Sequence, residues 1–115
     1  GTTKKHFYKE DQLQFSDLCK ALGHPARVSI IQLLSKNGHT NCTELQTKIE
    51  LSPSTISRHC QILHRYGIIG YEVIGSNCFY RLDNTVLNNL NDYIDAINCE
   101  TTSITGRVYY PQAPM

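Results

Sequence analysis

At 115 residues the chain is long enough for one small domain and too short for two. No apolar run approaches the ~20 residues needed to cross a bilayer, and the opening GTTKKHFYKE lacks the apolar core of a signal peptide. These features point to a cytoplasmic protein with no membrane partner, in which Gly1 reads as a tag remnant. A formal net charge of +1 gives no general pull on polyanions, so any such pull must come from how the charges are distributed.

Residues 1–10 read as an N-terminal extension, residues 11–100 as the folded domain and residues 101–115 as a tail. The spacing of Phe15, Leu18, Cys19 and Leu22 predicts an amphipathic helix over residues 11–22, ended by Gly23. Pro25 opens a second helix. Its apolar density at Val28, Ile30, Ile31, Leu33 and Leu34 predicts burial on most sides and a central position. Asn37-Gly38 is a turn signal. A third helix begins near Asn41, which is spaced from Glu44 as in a capping box, and turns Leu45 and Ile49 inward.

Only Glu50, Leu51 and Ser52 separate this helix from a fourth, carried by LSPSTISRHCQIL over residues 51–63. Ser52 is a good N-cap, because its hydroxyl can accept from the first free backbone N–H groups. Pro53 falls at the first helical position, where a missing N–H costs nothing. Ile56, Cys60 and Leu63 recur at helical spacing and mark an inward face. Ser54, Thr55, Ser57, Arg58 and Gln61 then point outward. Hydroxyls, an amide and a guanidinium are groups that reach base edges and phosphates when a helix lies in a major groove. Two short helices joined by about three residues, the second with such a face, form a helix-turn-helix pattern.

After Gly67 the period shortens toward two. Residues 68–74 and 78–82 are β-rich and flank Gly75-Ser76-Asn77, which predicts a hairpin, and a hairpin after a helix-turn-helix is a wing. A last helix runs from about Asn84 to Cys99, with an apolar stripe at Val86, Leu87, Leu90, Tyr93, Ile94 and Ile97. That stripe is broad for the end of so small a domain. With Phe15, Leu18 and Leu22 of the first helix it predicts a homodimer surface. The tail has no clear period and reads as a flexible terminus.

The charges are unevenly spread. From residue 20 to 81 there are seven cations (Lys20, Arg27, Lys36, Lys48, Arg58, Arg65, Arg81) against three anions (Glu44, Glu50, Glu72), with His24, His39, His59 and His64 in reserve. From residue 83 to 100 there are four acids and no Lys or Arg. A basic middle beside an acidic helix suits a protein that meets phosphate on one side only.

The fold expected is mainly α with a small β-hairpin, a winged helix-turn-helix. The order of elements resembles the ArsR/SmtB family of dimeric winged-helix repressors. The resemblance rests on residues 18–34 (LCKALGHPARVSIIQLL), 43–63 (TELQTKIELSPSTISRHCQIL), 66–73 (YGIIGYEV) and 79–82 (FYRL), and covers about residues 11–100. It implies a homodimer on double-stranded DNA with a two-fold symmetric operator, repressing until an inducer binds; the inducer is not legible. By position it implies DNA contacts at Ser54, Thr55, Ser57 and Arg58, with the wing tip at Gly75, Ser76 and Asn77. Gln61, Lys48 and Arg65 complete the DNA-binding set read from the residues. The wing departs from the pattern, since Glu72, Val73, Ile74, Ser76 and Asn77 supply no cation and only Arg81 lies at its base. Each lost phosphate contact flattens the salt dependence by about one unit of slope.

Many relatives bind metal through paired cysteines at the start of the third helix. Here Asn41 and Thr43 stand at those positions and Cys42 lies between them. A second family site, on the last helix, keeps only Glu100, with Asn84, Val86 and Ile97 at the other three positions, and one carboxylate cannot satisfy zinc. His39-x-x-Cys42 and Cys60-x-x-x-His64 have metal-like spacing, but Cys60 falls on the inward face of its helix. No metal and no cofactor are therefore expected. Cys19, Cys42, Cys60 and Cys78 fall where periodicity wants an apolar residue, so they read as small packing groups. Cys99 stands where thiol-sensing relatives place a cysteine. The partner position is Gln32, which leaves Cys19, on the first helix, as the substitute in a redox pair. No Gly-rich phosphate loop or nucleophile motif argues for an enzyme. The rival reading is a winged-helix protein-interaction module without DNA binding.

Overall fold

The computed structural model describes residues 5–101 and 106–112; Gly1 and parts of the expected extension and tail lie outside the described residues. A short 3-10 turn at Lys5–Phe7 precedes α1 (Glu10–Leu22), α2 (Pro25–Asn37), β1 (Thr40–Asn41), α3 (Cys42–Lys48), α4 (Pro53–Arg65), β2 (Ile69–Ile74), β3 (Asn77–Leu82) and α5 (Asn84–Glu100). Four helices, a hairpin and a fifth helix thus form the winged helix-turn-helix that the sequence predicts.

The local reasons are visible at the helix ends. Asn41 caps α3 by accepting from the Glu44 N–H at 2.8 Å. Ser52 caps α4 by accepting from the Thr55 N–H at 3.3 Å, with Pro53 at the first helical position. The far end of α4 closes in a Schellman arrangement. The Ile68 N–H reaches the Leu63 carbonyl and the Gly67 N–H the His64 carbonyl, both at 3.0 Å. Gly67 takes φ +75 there, and a Cβ on it would come within 3.2 Å of Val86 on α5. Only glycine suits that corner, which turns the chain from α4 straight into the sheet.

The core is small and central. Ile30 and Leu34 of α2, Leu45 of α3, Ile56, Cys60 and Leu63 of α4, and Ile68 and Ile69 at the hairpin base are buried together with Ala21. Leu18, Leu22, Val86 and Leu87 pack against the edge of this cluster. Helix α2 is central as expected, with Ile30 and Leu34 buried and Ile31 and Leu33 packed against the cluster, but Val28 is exposed.

The sheet has three strands in the order β1-β3-β2, not the two of a bare hairpin. The added strand pairs Thr40 with Tyr80 and Asn41 with Phe79, antiparallel. The hairpin register runs from Ile69 opposite Leu82 to Ile74 opposite Asn77. Asn77 is therefore a strand residue and the turn is Gly75-Ser76 alone. Gly75 has φ +65 and Ser76 is not left-handed, the pattern of a type II′ turn with glycine first.

The cysteines divide differently from the sequence expectation. Cys60 is buried and Cys42 and Cys78 are half-buried, but Cys19 is exposed, as is Cys99. Cys19 lies next to the inward line of α1 and not on it, since Ala21 takes the buried place.

Leu63 is fully buried at the junction of α4 and the sheet. Leu63→Ala is expected to lower the unfolding free energy by about 2–5 kcal/mol in urea denaturation. A loss under ~1 kcal/mol would show that the α4 face is not the centre of the core.

Candidate nucleic-acid interface

Helix α4 separates its two faces sharply. Ile56, Cys60 and Leu63 are buried, while Ser54, Arg58 and Gln61 are exposed and Ser57 is half-buried. Thr55 is half-buried, and its hydroxyl lies 2.8 Å from the Ser52 hydroxyl, while Ser54 Oγ lies 3.3 Å from it. Thr55 is thus partly committed to holding the N-terminus of the helix, so of the outward set Ser54, Ser57, Arg58 and Gln61 are the freer groups. Arg65 is exposed in the last turn, about 16 Å along the axis from Ser54 at 1.5 Å per residue. Lys48 is exposed at the end of α3, where it lines a cleft with Ser29, Gln32 and Lys36. Ser76 and Asn77 are exposed at the hairpin tip.

Two residues that count in the sequence only toward its charge, Arg27 and His59, position α4. Arg27 donates from Nε to His59 Nδ1 at 3.3 Å, and from Nη1 to the carbonyls of both Lys20 at 3.2 Å and Ala21 at 2.9 Å. One guanidinium thereby ties the C-terminal end of α1, where a cation is favoured, to the middle of α4. The His24 ring lies 4.5 Å from that of His59, and His24 Nδ1 caps α2 by accepting from the Ala26 N–H at 3.0 Å. His59 is only 8% exposed. Burial, followed by His24, Arg27 and Arg58, pushes its pKa below the usual 6.5. It belongs with the neutral core, not with the reserve of cations. The signal in the sequence was its place one residue before Cys60, on the edge of the inward face.

The apolar stripe of α5 is only partly used within one chain. Leu87 packs against the core, Leu90 is half-buried, and Tyr93 stacks on Phe15 with ring centroids 4.3 Å apart. Ile94 and Ile97 remain 43% and 51% exposed, and no residue of α5 is fully buried. Phe15 beside Tyr93, with Leu18 beside Val86 and Asn89, makes α1 and α5 antiparallel. Cys19 and Cys99 therefore lie near opposite ends of the pair, about 15 Å apart along the axis within one protomer. A direct bond between them in a single chain is excluded at the ~7 Å Cα limit for disulfides.

Among the described residues no group of three or more His, Cys, Asp or Glu side chains is arranged to hold a metal ion, and no helix is long and apolar enough to cross a membrane.

Residues 25–69, from α2 to the start of β2, match the family described as winged helix-turn-helix DNA-binding. The chain is 31% identical over 87 residues to the cadmium resistance transcriptional regulatory protein CadC homolog of Staphylococcus aureus, covering 76% of this chain and 72% of that protein. The chain belongs to the ArsR/SmtB family. It is a winged-helix DNA-binding regulator of transcription. Among solved structures the fold is similar to an ArsR-like transcriptional regulator from Rhodococcus sp. RHA1, with a TM-score of 0.70 and 21% identity over 77% of this chain and 83% of that one. It is also similar to HlyU from Vibrio cholerae N16961, with a TM-score of 0.66 and 25% identity over 81% of this chain and all of that one. The Staphylococcus aureus and Rhodococcus proteins are both named as regulators of transcription.

The lowered pKa of His59 fixes the sign of a pH effect. Its neutral form is favoured on folding, so the stability it contributes is present above pH 6.5 and lost as pH falls through the lower folded value. Thermal unfolding followed from about pH 7.5 to about pH 5 is expected to fall more steeply for the natural chain than for His59→Gln. Parallel curves would show that His59 is not held neutral.

Proposed function

We propose that the protein is a cytoplasmic homodimeric repressor that reads a two-fold symmetric operator with α4 and is released from it by an inducer. The observation that carries this is the division of α4, one face buried in the core and the other offering Ser54, Ser57, Arg58 and Gln61 to a groove. Arg58 is the only Lys or Arg among these four groups, so it is the one that attracts phosphate at a distance. Lys48 and Arg65 flank it in sequence as additional phosphate contacts, and Ser76 and Asn77 reach the backbone from the wing. Thr55 orders the N-terminus of α4 and approaches DNA beside Ser54.

Dimerisation is supported by the exposed Ile94 and Ile97, which continue the Phe15–Tyr93 stack outward. Phe15, Leu18, Leu22, Leu87, Leu90 and Tyr93 carry that surface back into the core. Two copies of α4 related by the dimer axis then address major grooves about 34 Å apart. Residues 11–100 form the working unit in this account.

A thiol-responsive inducer is a second reading, favoured by the exposure of both Cys19 and Cys99. Their separation in one protomer means that such a pair spans two protomers. Loss of release by polysulfide or peroxide in Cys99→Ser supports it; unchanged release of that variant removes Cys99 from the account.

The operator is sought in DNA upstream of the protein's own gene by electrophoretic mobility shift. Arg58→Ala is expected to weaken binding by about 1–3 kcal/mol and to reduce the salt slope by about one unit, with a smaller loss for Asn77→Ala. A larger loss from Asn77→Ala would show that the wing, not α4, carries the affinity. Ile94→Glu with Ile97→Glu is expected to shift sedimentation from dimer to monomer and to weaken operator binding. A dimer that survives both changes would place the interface elsewhere.

A further inference from the structure

The hairpin and α4 enclose a cleft of about 300 Å³ lined by Ser57, Cys60, Gln61, His64, Tyr71, Cys78 and Tyr80. Its walls come from two elements with opposed faces. Tyr71 and Tyr80 are register partners across the hairpin, and Val73 and Cys78 the next such pair, so their side chains share the sheet face turned toward α4. The Tyr71 ring meets the His64 ring edge-on at 4.9 Å, and His64 Nδ1 lies 3.2 Å from the Ile69 carbonyl, which fixes that ring.

The lining has three chemical properties. It holds no Lys, Arg, Asp or Glu. Burial pushes the Cys60 thiol up to about 12, so it stays neutral, and the Cys78 thiol is engaged by the Tyr80 hydroxyl. The walls are thus aromatic rings and neutral sulfur, which favour the face or edge of another ring. Finally, Ser57 and Gln61 supply a hydroxyl and an amide at the mouth, and among the described residues neither side chain has a protein partner. An apolar cleft of this size with a few convergent polar groups has the character of a small-molecule site.

We propose that this cleft is an effector site for a small, neutral, single-ring aromatic molecule bearing one hydrogen-bonding group. The ring lies against Tyr71 and Tyr80, and its polar group meets Gln61 or Ser57. The consequence rests on the DNA-binding role assigned to α4. Ser57 and Gln61 belong to the face offered to DNA, so a molecule that engages them competes with the operator for the same groups. The hairpin, bare of cations at its tip, then serves α4 as the second wall of a ligand site.

The test uses the full isotope-labelled chain titrated with phenol and, separately, with benzoate, following backbone amides. Phenol is expected to shift the amides of Cys60, His64, Tyr71 and Cys78 saturably, with a Kd near ~1 mM, while the charged benzoate leaves them in place. Tyr71→Ala, at a largely exposed position, is expected to lose those shifts and keep its operator affinity. With the natural chain, phenol at about ten times its Kd is expected to raise the apparent operator Kd about tenfold, and with Tyr71→Ala to leave it unchanged. No saturable shift by ~10 mM phenol, equal binding of benzoate, or shifts confined to the α1–α5 groove would overturn the site. Phenol bound in the cleft with operator affinity unaltered would overturn its effector role. Phenol bound there by a chain with no operator affinity at all would support the site and instead refute the recognition role of α4.

Discussion

The burial of one face of α4 is the contact on which the rest of the molecule depends. Ile56, Cys60 and Leu63 sit at full burial against residues of α2, α3 and the hairpin base. Each large aliphatic side chain in such a place contributes about 1.5–3 kcal/mol. A helix held this way has no rotational freedom, and its opposite face, with Ser54, Arg58 and Gln61, is turned to solvent by the helical period. The polar face makes few contacts with the rest of the chain. Its orientation is set from behind.

Polar contacts refine that placement. Arg27 ties the carbonyls at the end of α1 to His59 within α4. A hydrogen bond of this kind contributes roughly 1 kcal/mol net, less than a single buried aliphatic residue. Packing therefore decides that α4 is held, and the Arg27–His59 contact fixes where α1 and α2 meet it. The Schellman end at Gly67 does the same at the C-terminus of α4, directing the chain into the hairpin and leaving Val86 of α5 close by. The middle and the C-terminal end of α4 are thus tied to the helices that carry the proposed dimer surface.

The helices were legible because their signals are local. Ser52 with Pro53, Asn41 with Glu44, and the Ile56–Cys60–Leu63 spacing each state a boundary or a face in a few residues, and the structure follows them. Strand β1 was not legible: two residues, Thr40 and Asn41, show no period, and they become a strand only because Tyr80 and Phe79 lie beside them. In sequence Asn77 belongs to the turn because asparagine favours turns, yet Gly75 alone takes the left-handed position and pairing claims Asn77 for the strand. Within the site, Ser54, Ser57, Arg58 and Gln61 followed from periodicity. His59 did not, since a histidine beside an arginine reads as a cation until burial and Arg27 are seen to keep it neutral. Cys19 shows the converse error, a residue with apolar spacing that lies at the margin of its stripe and stays exposed.

The hairpin is where this chain differs from a strongly cationic wing, and its inner face carries aromatic rings and a thiol toward α4. The account thus gives α4 the task of meeting DNA and the hairpin a lesser share. An amide chemical-shift titration of the full chain with a short duplex carrying its operator tests that division most directly. The account predicts the largest perturbations from Ser54 to Gln61, smaller ones at Ser76 and Asn77, and reversal by added salt. Perturbations concentrated in the hairpin, with the N-terminal half of α4 unmoved, would contradict it.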